Sequence, residues 1–240
     1  MPQNRYFLDS PFHVPSDVLL TDEEAHHLNR VMRNKEGDKV ELINGRCQLA
    51  TAVVLGVEKK GIRLRLLAIT EQDRPPRTLI ICQAFPRFNR LETLVEKGTE
   101  LGMTALWLFP GQLSEKKELS STQLTRLKGI AVAAMKQSGR LDLPPLMIHP
   151  PLDQWKHLEW PAYFGDLNPE APPLLSVLNQ EAPDNLLFFV GPEAGLNSVE
   201  ENHLRRLQAK GVRLHTNILR AETASLTALS VICNYFLTKY

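Results

Sequence analysis

The chain has 240 residues, 43% of them hydrophobic and 23% charged, with a net charge of +1. That balance belongs to a globular protein with room for two domains and excludes a disordered or low-complexity chain. No apolar run nears the roughly 20 residues of a bilayer span, residues 1–9 hold no signal-peptide core, and a cytoplasmic protein is expected. The three cysteines, Cys47, Cys82 and Cys233, are far apart, without a CxxC pair, so neither a disulfide framework nor a metal site is expected.

Thr21-Asp22-Glu23-Glu24 reads as a capping box opening a helix to about Arg33, and Gly37 ends that unit. Strand-like runs follow at residues 39–44, 47–55 and 62–68, with a turn at Gly45. Short strands with one helix predict a small β-barrel-like module. Asp73-Arg74-Pro75-Pro76-Arg77 is a linker, because paired prolines stop both helix and ladder. Beyond it, strands at 79–84, 105–109, 186–190 and 212–214 alternate with helices at 91–101, 122–137, 198–209 and 222–237. Ser198 with Glu201 caps the third of these helices, and Gly211 closes it. Such alternation predicts a parallel α/β sheet with its ligand site at the carboxyl ends of the strands.

Charge is uneven along this frame. Residues 74–140 carry 11 basic against 5 acidic groups, whereas residues 141–204 carry 1 basic against 10 acidic. A basic middle segment fits a local patch for a polyanion, or a solvated surface on which the signs cluster by chance.

Two segments concentrate the chemistry. Gly191-Pro192-Glu193-Ala194-Gly195 follows a buried-strand run, and its glycines and proline impose a backbone that is neither strand nor helix. It brings bare backbone groups against a ligand or forms a plain turn, and Glu193 meets a ligand amine or water. There is no GxGxxG or GxxxxGK[ST] pattern, which argues against a dinucleotide or nucleoside-triphosphate site. Leu219-Arg220-Ala221-Glu222-Thr223-Ala224 sets an arginine at a helix start, where the dipole disfavours it, so an anionic ligand or Glu222 is expected beside it. Lys136 and Arg140 close the helix over 122–137, either for the dipole or for phosphate. Arg87 and Arg90 flank Phe88, a pattern suited to RNA phosphate and base stacking. The neighbouring His26 and His27 point apart on a helix and do not make a metal site.

At these residues the chain resembles the RsmE-type uridine-N3 methyltransferases of 16S ribosomal RNA, in the SPOUT class. The resemblance rests on the GPE-x-G loop at Gly191–Gly195 and on Leu219–Ala224. It is extended by residues 96–102, Gln137-Ser138-Gly139-Arg140 and the stretch from His26 to Arg33. It implies an N-terminal PUA-like β-barrel over residues 1–72, a linker at 73–77 and a trefoil-knotted SPOUT α/β methyltransferase domain over 78–240, working as a homodimer on 16S rRNA in the small ribosomal subunit. S-adenosylmethionine would lie against Gly191, Pro192, Glu193, Gly195, Leu219, Ala221, Thr223 and Ala224. Arg220, Arg140 and Glu222 are the implied catalytic candidates, and Arg30, Arg33, Arg87, Arg90 and Lys136 the RNA contacts. Action on transfer RNA or a ribose hydroxyl, or a binding-only protein with a decayed cofactor loop, are the rival readings. The chain departs from the family pattern at Ala194, at His215-Thr216-Asn217, at Pro110-Gly111-Gln112 and at Lys136. Ala194 is tolerable unless its position requires positive φ.

Overall fold

The structure is a computed structural model that describes residues 5–31 and 35–239. It divides into two compact units, residues 1–74 with 132–143, and residues 75–131 with 144–240. None of its described helices is long and apolar enough to cross a membrane.

The first unit is built on β1 (Arg5–Phe7), β2 (Ser16–Leu20), α1 (Asp22–His26), β3 (Lys39–Ile43), β4 (Gln48–Glu58) and β5 (Gly61–Glu71). The strands form one sheet in the order β1-β3-β4-β5-β2, parallel only between β1 and β3. In β5, Ile62, Leu64 and Leu66 turn into the core while Arg63 and Arg65 face solvent, the period-2 pattern of a half-buried strand. Tyr6, Phe12, Leu28, Leu42 and Ala52 complete that core.

The expected capping box does not form. The Thr21 hydroxyl donates to Asp22 Oδ2 (2.8 Å), and Thr21 makes no side-chain cap. Glu24, which would have reached back to Thr21, instead accepts from the Phe7 N–H (3.2 Å) and Lys136 Nζ (2.5 Å). The α-helix stops at His26, and a π-helical turn follows over His27–Val31. The expected end near Arg33 lies outside the described residues.

The second unit contains β6 (Leu79–Ala84), α2 (Phe88–Glu100), β7 (Ala105–Phe109), the start of α3 (Ser121–Ser138), β8 (Leu146–Ile148), β9 (Ala162–Gly165), α4 (Leu174–Glu181), β10 (Leu186–Val190), α5 (Ser198–Arg206), β11 (Lys210–Val212) and α6 (Ala221–Leu237). Its six strands are all parallel, in the order β11-β9-β10-β6-β7-β8. The central strands β6 and β10 are buried at every residue, as a parallel sheet covered on both faces requires. One face packs Phe109, Phe164, Phe189 and Leu204. Leu91, Leu94 and Val95 of α2 and Leu229 and Ile232 of α6 are buried, and these two helices pack on each other.

Two sequence readings shift by a residue or two. The last strand is Lys210–Val212 rather than 212–214, and α5 is capped by Asn197 with Glu200 rather than by Ser198 with Glu201. The Asn197 side chain accepts from the Glu200 N–H (2.9 Å) while Glu200 Oε2 accepts from the Asn197 N–H (3.0 Å), a reciprocal box that Glu201 cannot close.

His149, just after β8, packs against Trp107 (4.4 Å between ring centres) and Trp155 (5.1 Å). Burial pushes its pKa below 6.5. The unfolded chain then binds more protons than the folded one as pH falls below that value. The stabilisation from keeping His149 neutral is therefore complete above pH 6.5 and lost on acidification towards the folded value. Melting temperatures between pH 7 and 5 are expected to fall less steeply in His149→Gln than in the unaltered protein. Parallel curves would contradict this.

Candidate active site

Because β9, β10 and β11 are adjacent and parallel, their carboxyl ends open at one edge of the sheet. The segments leaving them, 165–167, 190–196 and 214–219, enclose a cavity of about 320 Å³ together with Ala221 and Ala224 of α6. That volume lies in the range of small-molecule sites, roughly 300–1,000 Å³.

The loop after β10 is shaped by its glycines. A Cβ on Gly191 would lie 2.5 Å from the Gly195 carbonyl carbon and 2.5 Å from the Leu196 nitrogen, so only glycine lets the loop fold back on itself. The Gly195 N–H donates to the Pro192 carbonyl (2.9 Å), and Gly195 takes the left-handed φ of +79°. Ala194 is not among the residues with positive φ, so its methyl sits on ordinary backbone. The glycine requirement falls one residue later.

Sequence reasoning missed the residue that anchors this loop. Gln83, fully buried at the carboxyl end of β6, donates from Nε2 to the carbonyls of Gly191 (2.8 Å) and Ala84 (2.9 Å), and lies 3.3 Å from that of Val190. Its Oε1 accepts from the Ser225 hydroxyl of α6 (2.7 Å). The available signal was a glutamine inside an otherwise apolar strand, because a buried amide needs partners.

A charged cluster forms the next layer. α2 has no side-chain cap of its own and no acidic residue in its first turn. Glu193 supplies both from the far loop, accepting the Arg87 N–H at 3.0 Å. Arg90 places Nε 3.1 Å from Glu193 Oε1 and donates from Nη1 to Glu222 Oε1 at 2.5 Å. The Arg90 side chain is only 20% exposed and that of Glu222 14%. Arg90 thus faces two carboxylates within the fold. Arg87 extends into solvent and pairs with Glu115 (2.6 Å).

Arg220 is the N-cap residue of α6, between the cavity-lining Leu219 and Ala221. It is exposed, and its side chain has no ion-pair or hydrogen-bond partner among the described residues. Gly191, Pro192, Glu193, Gly195, Leu219, Ala221 and Ala224 line the cavity, while Thr223 is exposed and does not. Asp166, which sequence reasoning did not single out, lies on the cavity wall with its carboxylate engaged by Arg205 (2.7 Å) and the Asn168 N–H (2.9 Å). Among the residues departing from the family pattern, His215 Nδ1 accepts the Asn217 N–H (3.0 Å), which closes a turn where a proline is absent. The Gln112 N–H donates to Glu200 (2.9 Å) and its side-chain oxygen accepts from Asn197 (2.6 Å), fixing the start of α5.

The remaining candidates belong to the first unit. Arg140 forms a fork on Asp142 (2.5 and 3.2 Å), and Lys136 is paired with Glu24. Arg33 and the Arg30 side chain lie outside the described residues.

Residues 73–233 match the RNA methyltransferase domain family, and residues 20–67 match the RNA methyltransferase PUA domain. A ribosomal RNA small subunit methyltransferase E of Synechocystis is 30% identical over 229 residues, spanning 91% of this chain and 73% of its own length. The protein of that name from Bacillus subtilis is 29% identical over 232 residues, spanning 89% of this chain and 88% of its own. Among solved structures, the ribosomal RNA small subunit methyltransferase E of Neisseria gonorrhoeae, bound to S-adenosyl methionine, aligns with a TM-score of 0.82 at 27% identity over 98% of this chain and 97% of that one. With its PUA segment and its parallel α/β methyltransferase domain, the chain belongs to the RNA methyltransferase family of the ribosomal RNA small subunit methyltransferase E type.

Proposed function

We propose that this protein transfers a methyl group from S-adenosylmethionine to N3 of a uridine in the 16S rRNA of the small ribosomal subunit. The observation that carries the proposal is the cavity at the carboxyl ends of β9–β11, walled by the backbone of the 191–196 loop. Its residues fit the cofactor. Leu196, Leu214, Ile218 and Leu219 offer apolar surface for a flat adenine, and the loop presents backbone groups that can read polar edges without side-chain bulk. When bound, S-adenosylmethionine supplies a methyl group activated by its sulfonium.

The chain's own work is orientation and charge. Uracil N3 carries a weakly acidic proton; its loss to solvent water leaves negative charge spread over O2, N3 and O4, and N3 then takes up the methyl group as that charge and the sulfonium charge are lost together. A guanidinium stabilises that charge without losing its proton. Arg220 is assigned this role, since it flanks the cavity and is committed to no other group among the described residues. Arg140 is tied to Asp142 and is the weaker candidate. Glu222 is tied to Arg90 and is given no proton-transfer step.

Residues 1–72 serve as the RNA-binding module, 73–77 as linker and 78–240 as the methyltransferase domain, which lends residues 132–143 to the first compact unit, carries the trefoil knot and acts in a cytoplasmic homodimer. Arg30, Arg33 and the exposed Arg87 are the preferred phosphate contacts. A binding-only protein with a decayed loop is disfavoured, because Gly191 and Gly195 hold the glycine-requiring geometry and Ala194 falls where a methyl is harmless.

The test offers labelled S-adenosylmethionine with either small ribosomal subunits lacking this modification or bulk transfer RNA. Label in the ribosomal RNA alone is expected. Label in transfer RNA alone overturns the substrate.

A further inference from the structure

We propose that Arg90 is the positioning residue of the cofactor cavity, a charged brace that sets the distance between the 191–196 loop and the first turn of α6. This rests on reading that cavity as the S-adenosylmethionine site. The two walls are joined by Gln83, which bonds Gly191 on one side and Ser225 on the other. Gln83 holds them from beneath, at the sheet. Arg90 joins the same two elements from the α2 side, through Glu193 of the loop and Glu222 of α6.

Three features make this pair of contacts more than a surface ion pair. The Arg90, Glu222 and Glu193 side chains are 20%, 14% and 27% exposed, so their charges are poorly screened. One cation serves two carboxylates; Arg90→Met would leave Glu222 without its described donor and Glu193 with the Arg87 N–H alone. Among the described residues, Glu222 Oε2 and Arg90 Nε have no hydrogen-bond partner, so Glu222 is held through its other oxygen by Arg90 Nη1 and the contact of Arg90 with Glu193 is an ion pair without a hydrogen bond. Removal of one partner from a largely buried pair is far more damaging than loss of a surface pair. The repulsion released would push Glu193 and Glu222 apart, and these residues sit on the two walls that contact the cofactor. Arg90 itself does not line the cavity, so its effect passes through those walls and not through contact with the ligand.

The test compares Arg90→Met, Arg90→Lys and Arg90→Met combined with Glu193→Gln and Glu222→Gln. S-adenosylmethionine affinity is read by calorimetry, KM and kcat by methyl transfer, and folding by thermal melting. Arg90→Met is expected to weaken affinity about 30-fold, the scale of an uncompensated partly buried charge, and to raise KM for S-adenosylmethionine more than it lowers kcat. Arg90→Lys is expected to lose part of the affinity, since an ammonium lacks the planar fork that reaches both carboxylates. The triple variant removes the repulsion and is expected to recover roughly tenfold of the affinity lost. It also keeps the question answerable if Arg90→Met alone fails to fold. A folded Arg90→Met protein with unaltered affinity overturns the proposal. So does a folded triple variant that binds no better than Arg90→Met. If the unaltered protein binds no S-adenosylmethionine, the reading of the cavity fails first and this proposal with it.

Discussion

Gly191→Ala is expected to weaken S-adenosylmethionine binding by about 100-fold, which corresponds to roughly 2.7 kcal/mol. The new methyl carbon would stand 2.5 Å from two backbone atoms of the same loop, Gly195 C and Leu196 N. Neither atom ends a flexible side chain, so the contact can be relieved only by opening the 191–196 loop. Overpacking of this kind costs about 1–3 kcal/mol, and displacing an exposed loop is easier than unfolding the sheet beneath it. The loss should therefore appear in the cofactor cavity, with melting lowered by only a few degrees, about 2–4 °C per kcal/mol for a chain of this size. Ala194→Gly provides the control. Residue 194 has no positive φ, so restoring glycine there is expected to leave affinity within about twofold, apart from the small entropic cost of glycine. Calorimetric titration of both variants decides the matter. Equal losses at 191 and 194, or none at either, would contradict the geometry assigned to the loop.

Arg220→Ala is expected to lower kcat by about 10²–10³, the usual effect of removing one group that stabilises charge developing in the transition state. S-adenosylmethionine affinity should hardly change, because only Leu219 and Ala221, the neighbours of Arg220, line the cavity. The protein should fold normally, since no described side chain pairs with Arg220. Arg220 also stands at the amino end of α6, where a cation opposes the helix dipole, so its removal is expected to stabilise the helix slightly. A variant that is slower yet no less stable would mark a residue retained for chemistry. Single-turnover methyl transfer at saturating cofactor separates this from a binding defect. Wild-type turnover in Arg220→Ala would remove Arg220 from the mechanism and return attention to Arg140.

Much of the second unit's frame was legible in the sequence. Strands β6, β7 and β10 fall on the expected residues because each is a largely buried apolar run, broken only by Gln83 in β6. The loop after β10 was legible because Gly191, Pro192 and Gly195 can do little else. By contrast, β8 and β9 are only three and four residues long, and α4 begins directly after Pro172-Pro173, so no periodic signal reaches useful length. Capping misled twice. The Thr21 hydroxyl went to Asp22, and Asn197 stood one residue ahead of an equally acceptable serine. The site's supporting residues were the least legible. Gln83 meets Gly191 108 positions away, and Arg90 meets Glu222 132 positions away. Spacing within a segment cannot encode such meetings, which follow only from the order of strands in the sheet.

Nucleoside mass spectrometry of 16S rRNA tests the central claim most directly. Small ribosomal subunits from a strain lacking this protein would be incubated with the purified chain and S-adenosylmethionine, and the digested rRNA compared with synthetic methylated uridines. The account predicts one new product co-eluting with 3-methyluridine, absent when Gly191→Ala replaces the unaltered protein at limiting cofactor. A product methylated on the ribose 2′-hydroxyl or at a ring carbon, or no product despite measurable cofactor binding, would contradict it.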